Sequence, residues 1–162
     1  VALTEEEAAQ RAEAEVRAFC GWHVAPEKTE TLVLDGTGTA ALLLPTLRVT
    51  QVSRVVEDGR ELDPDSYEWS ASGVVRKGRR GRAWTDRFRG VEITLTHGYP
   101  ELPLDLAAIV DRLKDRQLQG SQVLAQVGSV SYATGEDGLP VGGSLSSLDR
   151  AVLDRYKLPP RP

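Results

Sequence analysis

Val91, Ile93 and Leu95 alternate with Glu92, Thr94 and Thr96. A period of two puts three apolar side chains on one face of an extended strand and three polar ones on the other. That is the pattern of an antiparallel sheet packed on one side and wet on the other, so the strand needs neighbours. From Thr29 onward the chain supplies them as short runs rich in Val, Leu and Thr. They are separated by the turn signals "DGTG" (35–38), "EDG" (57–59), "DPDS" (63–66) and "SASG" (70–73). "DGTGTA" suits a hairpin turn better than a phosphate loop, because the Gly-Lys-Ser/Thr ending is missing; "LPVGGS" lacks it too.

The period changes on either side of this β region. Ala8, Ala12, Val16 and Phe19 recur at helical spacing; Thr4 and Glu7 have the spacing of a capping box, and Gly21 is placed as a stop. This predicts a helix over 5–20. Downstream, Pro103 suits a first helical turn, and Leu106, Ile109, Val110 and Leu113 form the buried stripe of a second helix reaching about Gln119, with Gly120 as its stop. Residues 120–144 hold six Gly and few bulky apolar side chains. A run of that kind is functional or disordered more often than structural. Leu145, Leu148, Val152, Leu153 and Tyr156 then restore helical period, with Ser144 or Ser146 as cap and "LPPRP" as terminator. The reading is α+β: a small bundle of three main helices, a long antiparallel β insertion (29–99) between the first and second, and an extended C-terminal arm plus helix. It divides the chain into a core over 1–119 and an arm with a docking helix over 120–162.

Composition sets the class. The chain has 162 residues, 27% charged and 40% hydrophobic, values of one globular domain. Its longest apolar run, 40–44, is too short to cross a bilayer, which predicts a soluble protein without membrane contact. "VALTEEEAAQ" lacks the charged and apolar regions of a secretion signal, and the missing initiator Met points to processing or trimming. Cys20 stands alone, which suits a reducing compartment and a small buried hydrophobe better than a nucleophile. His23 and His97 lie far apart and no spacing resembles a zinc site, so no metal and no cofactor are expected. No "GxSxG" elbow occurs. His97 as a general base requires a pocket joining it to an acid; a polar strand-end residue is the preferred reading, and no enzymatic activity is expected.

The residues between Arg76 and Arg89 are the chemically distinctive stretch. Seven bases (Arg76, Lys77, Arg79, Arg80, Arg82, Arg87, Arg89) face Asp86 alone, a balance of +6, leaving 13 basic and 23 acidic residues, or −10, elsewhere. Lying between Val74 and Val91, the stretch reads as a long hairpin loop that reaches outward. It admits three readings: pairing with acidic faces of a neighbouring subunit, which is preferred; a solvated tip; or contact with nucleic acid, with Trp84 or Phe88 stacking on bases. The acidic remainder repels a polyanion, and no recognised nucleic-acid motif accompanies the loop. Trp84 reads as the best interface aromatic, because its segment is otherwise too polar to pack a core.

The order of pieces carries a resemblance. An acid-rich helix ending in "FCGWHV", the strand "TETLVLDG", then "LLLPTLRVTQVSRVVEDGRELDPDSYEW", "VEITLTHGYPELPLDLAAIVDRL" and a closing "SVSYATG…LSSLDRAVLDRYKLP" resemble, over nearly the full length, a head-to-tail connector (adaptor) protein of tailed bacteriophages and prophages. "THGY" before a proline-started helix and "SYATG" followed by "LDRAVLDRYK" are its most specific motifs. The β insertion is longer than in the most compact helical members of the family.

The resemblance implies a structural virion protein at the head–tail interface, assembled in the bacterial host cytoplasm. It implies a ring of about twelve copies closed by rotation, lying between the portal and a tail-side connector, stopper or tail terminator. DNA would pass through the lumen without specific binding. The subunit-interface candidates are then Arg76, Lys77, Arg79, Arg80, Arg82, Trp84, Arg87 and Arg89, facing acids such as Glu5 to Glu7 or Glu136 and Asp137 of a neighbour. The portal-docking candidates are Leu145, Leu148, Val152, Leu153 and Tyr156. Ordering about 25 residues costs of order 1–2 kcal/mol each, more than the sparse apolar content of 120–144 can offset. The arm and last helix are therefore expected to be mobile in the monomer and fixed on assembly. The alternative reading is a small nucleic-acid-binding module using 76–89.

Overall fold

The computed structural model describes residues 3–78, 82–126 and 145–160, with the backbone alone for 121–126. Two compact units emerge. The helical unit takes Val1–Gly21 with Leu102–Pro159, and the β unit takes Trp22–Glu101 with the last three residues. This differs from a division at 119/120, because the last helix packs on the first two and the β insertion has a core of its own.

In the helical unit, α1 (Glu5–Cys20) begins with the predicted capping box: the Glu7 N–H donates to Thr4 Oγ1 at 3.2 Å and the Thr4 N–H to Glu7 Oε2 at 3.0 Å. Gly21 ends it at φ 78°, its N–H returning to the Arg17 carbonyl at 2.9 Å, a left-handed cap that glycine adopts without strain. Ala8, Ala12, Val16 and Cys20 are buried, a stripe at four-residue spacing. Burial pushes the Cys20 thiol up to about 11.

Helix α2 (Leu104–Gln126) buries Leu106, Ile109, Val110 and Leu113 as the spacing predicts. It does not stop at Gly120. Glycine costs a helix interior only about 1 kcal/mol, and Gly120 continues the buried series after Leu113 and Gln117. The segment 120–126 is thus helical, and 127–144, the rest of the expected arm, lies outside the described residues.

Helix α3 (Ser147–Leu153) is capped by Ser146, whose Oγ accepts from the Asp149 N–H at 3.1 Å, and a short 3₁₀ turn, Asp154–Tyr156, follows. The helix packs on α1 and α2. Leu145 and Leu153 are buried, the Tyr156 hydroxyl donates to Asp105 at 2.9 Å, and the Leu158 N–H reaches the Cys20 carbonyl at 2.8 Å.

The β unit contains two antiparallel sheets. Its strands are β1 (Lys28–Leu34), β2 (Ala41–Leu43), β3 (Val49–Glu57), β4 (Arg60–Glu61), β5 (Tyr67–Trp69), β6 (Val74–Lys77) and β7 (Val91–His97). One sheet runs β1-β7-β3-β4 and the other β2-β6-β5. The alternating strand that opens the sequence reading is β7, central in the larger sheet, with Val91, Ile93 and Leu95 fully buried. They join Leu42, Leu44, Val49, Val55, Tyr67, Val75 and Trp84 in one core.

Of the predicted turns, Asp58 and Gly59 link β3 to β4 with φ 49° and 78°, the two positive angles of a type I′ hairpin. Gly73, between β5 and β6, has φ 90°, and a Cβ there would stand 2.3 Å from the Thr46 carbonyl oxygen. Two expected hairpins are absent. "DGTG" joins β1 to β2, and the basic stretch joins β6 to β7, each crossing from one sheet to the other. A turn signal marks where a strand ends; which strand pairs next is decided by packing.

Candidate interaction surface

The basic segment is stitched back onto the β unit. The Trp84 N–H donates to the Thr39 carbonyl at 2.8 Å, Gly38 to Thr85 at 3.1 Å and Gly36 to Arg87 at 2.9 Å. Arg89, with φ 55°, donates its N–H to Asp35 Oδ1 at 2.8 Å. Trp84 is 2% exposed and its indole N–H reaches the Val75 carbonyl at 3.3 Å. It is a core residue and not a surface aromatic, because a hydrogen-bonded crossover can carry one large side chain inward while its neighbours stay in water. The sequence signal for this was weak: a lone Trp among arginines looks the same whether its ring turns in or out.

Five of the seven cations lie among the described residues, and they separate into three groups. Lys77 is consumed internally: its Nζ contacts both Glu57 oxygens at 2.8 Å, and it lies 5.2 Å from the Trp84 ring centroid, a cation–π distance. Glu57 also accepts the Thr85 N–H at 2.7 Å, tying the crossover to the end of β3. Arg87 pairs loosely with Asp58 at 3.8 Å, 74% exposed. Arg76, Arg82 and Arg89 are exposed, with no ion pair among the described residues. Arg79 and Arg80 lie outside the described residues.

The surface aromatic of this region is Phe88, 87% exposed between Arg87 and Arg89. Together they make a cationic surface with an apolar point at its centre, suited to acidic partners, whether carboxylate or phosphate.

The helix-borne candidates also separate. Leu145 and Leu153 face inward and Leu148 is 78% exposed, while Val152 and Tyr156 are partly covered. What anchors the inward face is polar. Asp149, 2% exposed, accepts from the Arg112 guanidinium at 2.6 Å and from Ser146 Oγ at 2.8 Å, and Arg116 stands 3.9 Å away. Burial works to raise the Asp149 carboxyl, but hydrogen bonds from Arg112 and Ser146 outweigh it and hold the group below the usual range. Glu15, with Asp149 adding like-charge repulsion, is raised chiefly by its own burial.

His97 does meet an acid: Nε2 lies 2.8 Å from Glu30 Oε1. Burial opposes the Glu30 charge, yet hydrogen bonds from His97 and Lys28 hold its carboxyl below the usual range. At 2% exposure the ring is closed to a substrate, and the pair ties β1 to β7 at their paired ends. Among the described residues no group of three or more His, Cys, Asp and Glu could hold a metal ion, and no helix is long and apolar enough to cross a membrane.

No family model matches the chain, and no curated protein matches it. Solved structures do. A chain in the neck of the native gene transfer agent particle, computed with C12 symmetry, is 15% identical with a TM-score of 0.63, covering 97% of this chain and 83% of that one. A chain in the neck of the empty particle, computed with C6 symmetry, is 18% identical at a TM-score of 0.59, covering 97% and 79%. A chain from the virion of the native particle is 18% identical at 0.57, covering 97% and 78%. The helices, both sheets and their order along this chain thus make up the fold seen in chains of gene transfer agent necks and virions.

Proposed function

We propose that this chain is a structural neck protein of a tailed-phage-type particle: one copy in a closed ring of about twelve that lies between portal and tail and lets DNA through its lumen. The observation that carries the reading is the fold likeness over 97% of the chain to a neck chain computed with C12 symmetry. The chemistry is consistent with it. The His97 ring is buried and its contact with the partly exposed Glu30 is structural, and the exposed groups are arranged for contact between surfaces.

In this reading Arg76, Arg82, Arg87 and Arg89, with Phe88, mate with acidic groups of an adjacent copy, and Arg79 and Arg80 are further candidates for that contact. The acidic balance elsewhere keeps a lumen from gripping DNA. Leu148, exposed on α3, is the candidate contact to the portal. Native mass measurement and electron microscopy of the purified full chain test the proposal. Closed rings that bind a portal assembly are expected; a monomer at all concentrations, with or without portal, would overturn it.

One observation favours a second reading. Phe88 exposed between two arginines is the arrangement by which single strands are stacked and neutralised, and DNA affinity at physiological salt would support that module instead.

A further inference from the structure

Strand β1 is the edge of its sheet. It pairs with β7 alone, and among the described residues no backbone hydrogen bond joins 28–34 to any other strand. Among the described residues a row of its N–H and C=O groups therefore has no strand partner. The side chains repeat this. Ile93 and Val91 on β7 are fully buried, whereas their partners Leu32 and Leu34 on β1 are only partly covered, although they pack on the same core. Val33 is 45% exposed and Leu43 42%, and a groove of about 720 Å³ lined by Val33, Leu34, Asp35, Gly36, Leu42 and Leu43 opens beside them. The apolar face stops one strand short.

We infer that the β1 edge accepts, as an added strand, residues 129–134 of a second copy of this chain. The segment reads "SVSYAT" between Gly128 and Gly135. Val130, Tyr132 and Thr134, good strand formers, alternate with the small Ser129, Ser131 and Ala133. Laid on β1, the larger set covers Leu32 and Leu34 and the small set lies beside Thr29, Thr31 and Val33, the exposed side of the edge. Main-chain bonds supply affinity and the alternation supplies register, as in strand addition generally.

The choice of a second copy rests on the ring reading above. In a head-to-tail ring every copy offers one edge and one segment, and rotation uses them all. The 18 residues between Gln126 and Leu145 reach up to about 60 Å when extended.

Two versions of the full chain, each with one introduced cysteine, Thr31→Cys in one and Ser131→Cys in the other, test this under mild oxidation, with Ser129→Cys and Ala133→Cys covering a shifted register. Cys20 is fully buried and does not compete. Disulfide dimers from the mixture are expected, with yield falling about fivefold or more when the donor also carries Val130→Pro, which removes a ladder donor. Native mass measurement on the same samples reads ring formation by itself. Rings without a mixed disulfide would overturn the inference and leave the ring reading intact. So would a chain carrying both cysteines that links only within itself. Mixed disulfides without closed rings would uphold strand addition and remove the ring.

Discussion

Asp149 and Arg112 meet at 2.6 Å across the face where α3 lies on α2, with Asp149 2% exposed and Arg112 52% exposed. The contact joins a buried charge to a half-open one, and the same carboxylate also accepts from Ser146 at the start of α3. One side chain therefore caps the last helix and holds it in place. Asp149→Ala removes both functions and is expected to cost about 2 kcal/mol, between the loss of a cap and that of a fully buried pair. Urea unfolding checks the magnitude, and hydrogen exchange should show the loss concentrated in 145–158.

The same residue sets an acid limit. Its folded pKa lies below the ordinary carboxyl value of 3.8, so its contribution is complete above that value and disappears as pH falls through the folded pKa. Glu15 acts in the opposite sense: raised from 4.5 by burial, it disfavours the folded state once pH rises above that value. Helix content and exchange protection of α3 should hold at neutral pH and fall below about pH 3.8. Asp149→Asn should flatten that fall.

Trp84 distinguishes core from interface. Buried against Val75, with Lys77 over its ring, it should cost about 3–5 kcal/mol as Trp84→Ala. The loss should appear in denaturant unfolding of dilute protein. An unchanged midpoint would mean that the ring does not pack in the monomer.

Glu57 is the knot between β3 and the crossover, accepting from Lys77 and Thr85 together. Glu57→Ala leaves a largely buried ammonium and an N–H without an acceptor, and a loss of about 2–3 kcal/mol is expected. Exchange rates at Thr85 and its neighbours should rise before those of β7.

The exposed cations make the contrasting set. Arg76→Glu, Arg82→Glu and Arg89→Glu together should leave unfolding within about 0.5 kcal/mol per site while weakening ring assembly. Unchanged assembly with lost DNA binding would favour the nucleic-acid reading. In that case the wild-type affinity for single strands should fall with a log–log salt slope of about −3 for four phosphate contacts.

Local signals carried most of the elements. Thr4, Glu7 and Gly21 bound α1 because caps depend on neighbours a few residues away. The alternation at 91–96 named β7 and its buried face, and Leu106 to Leu113 named the stripe of α2. The end of α2 was not legible, since Gly120 stops a helix only where packing does not continue it. The order of motifs pointed to the connector family, and the neck-chain fold agrees.

What the sequence by itself determined is the type and periodicity of the three helices and of β7, the presence of a β region between the first two helices, the concentration of positive charge at 76–89 and the acidity of the rest. The tertiary structure alone decided that β1 and β2, and β6 and β7, part into different sheets, that Trp84 turns inward and Phe88 outward, and that Lys77 is neutralised while Arg76 and Arg89 are not. The physical reason is range. Periodicity and capping act within a few residues, whereas sheet partners and the burial of one cation among seven depend on groups such as Glu57, 20 residues from Lys77, that only the folded chain brings near.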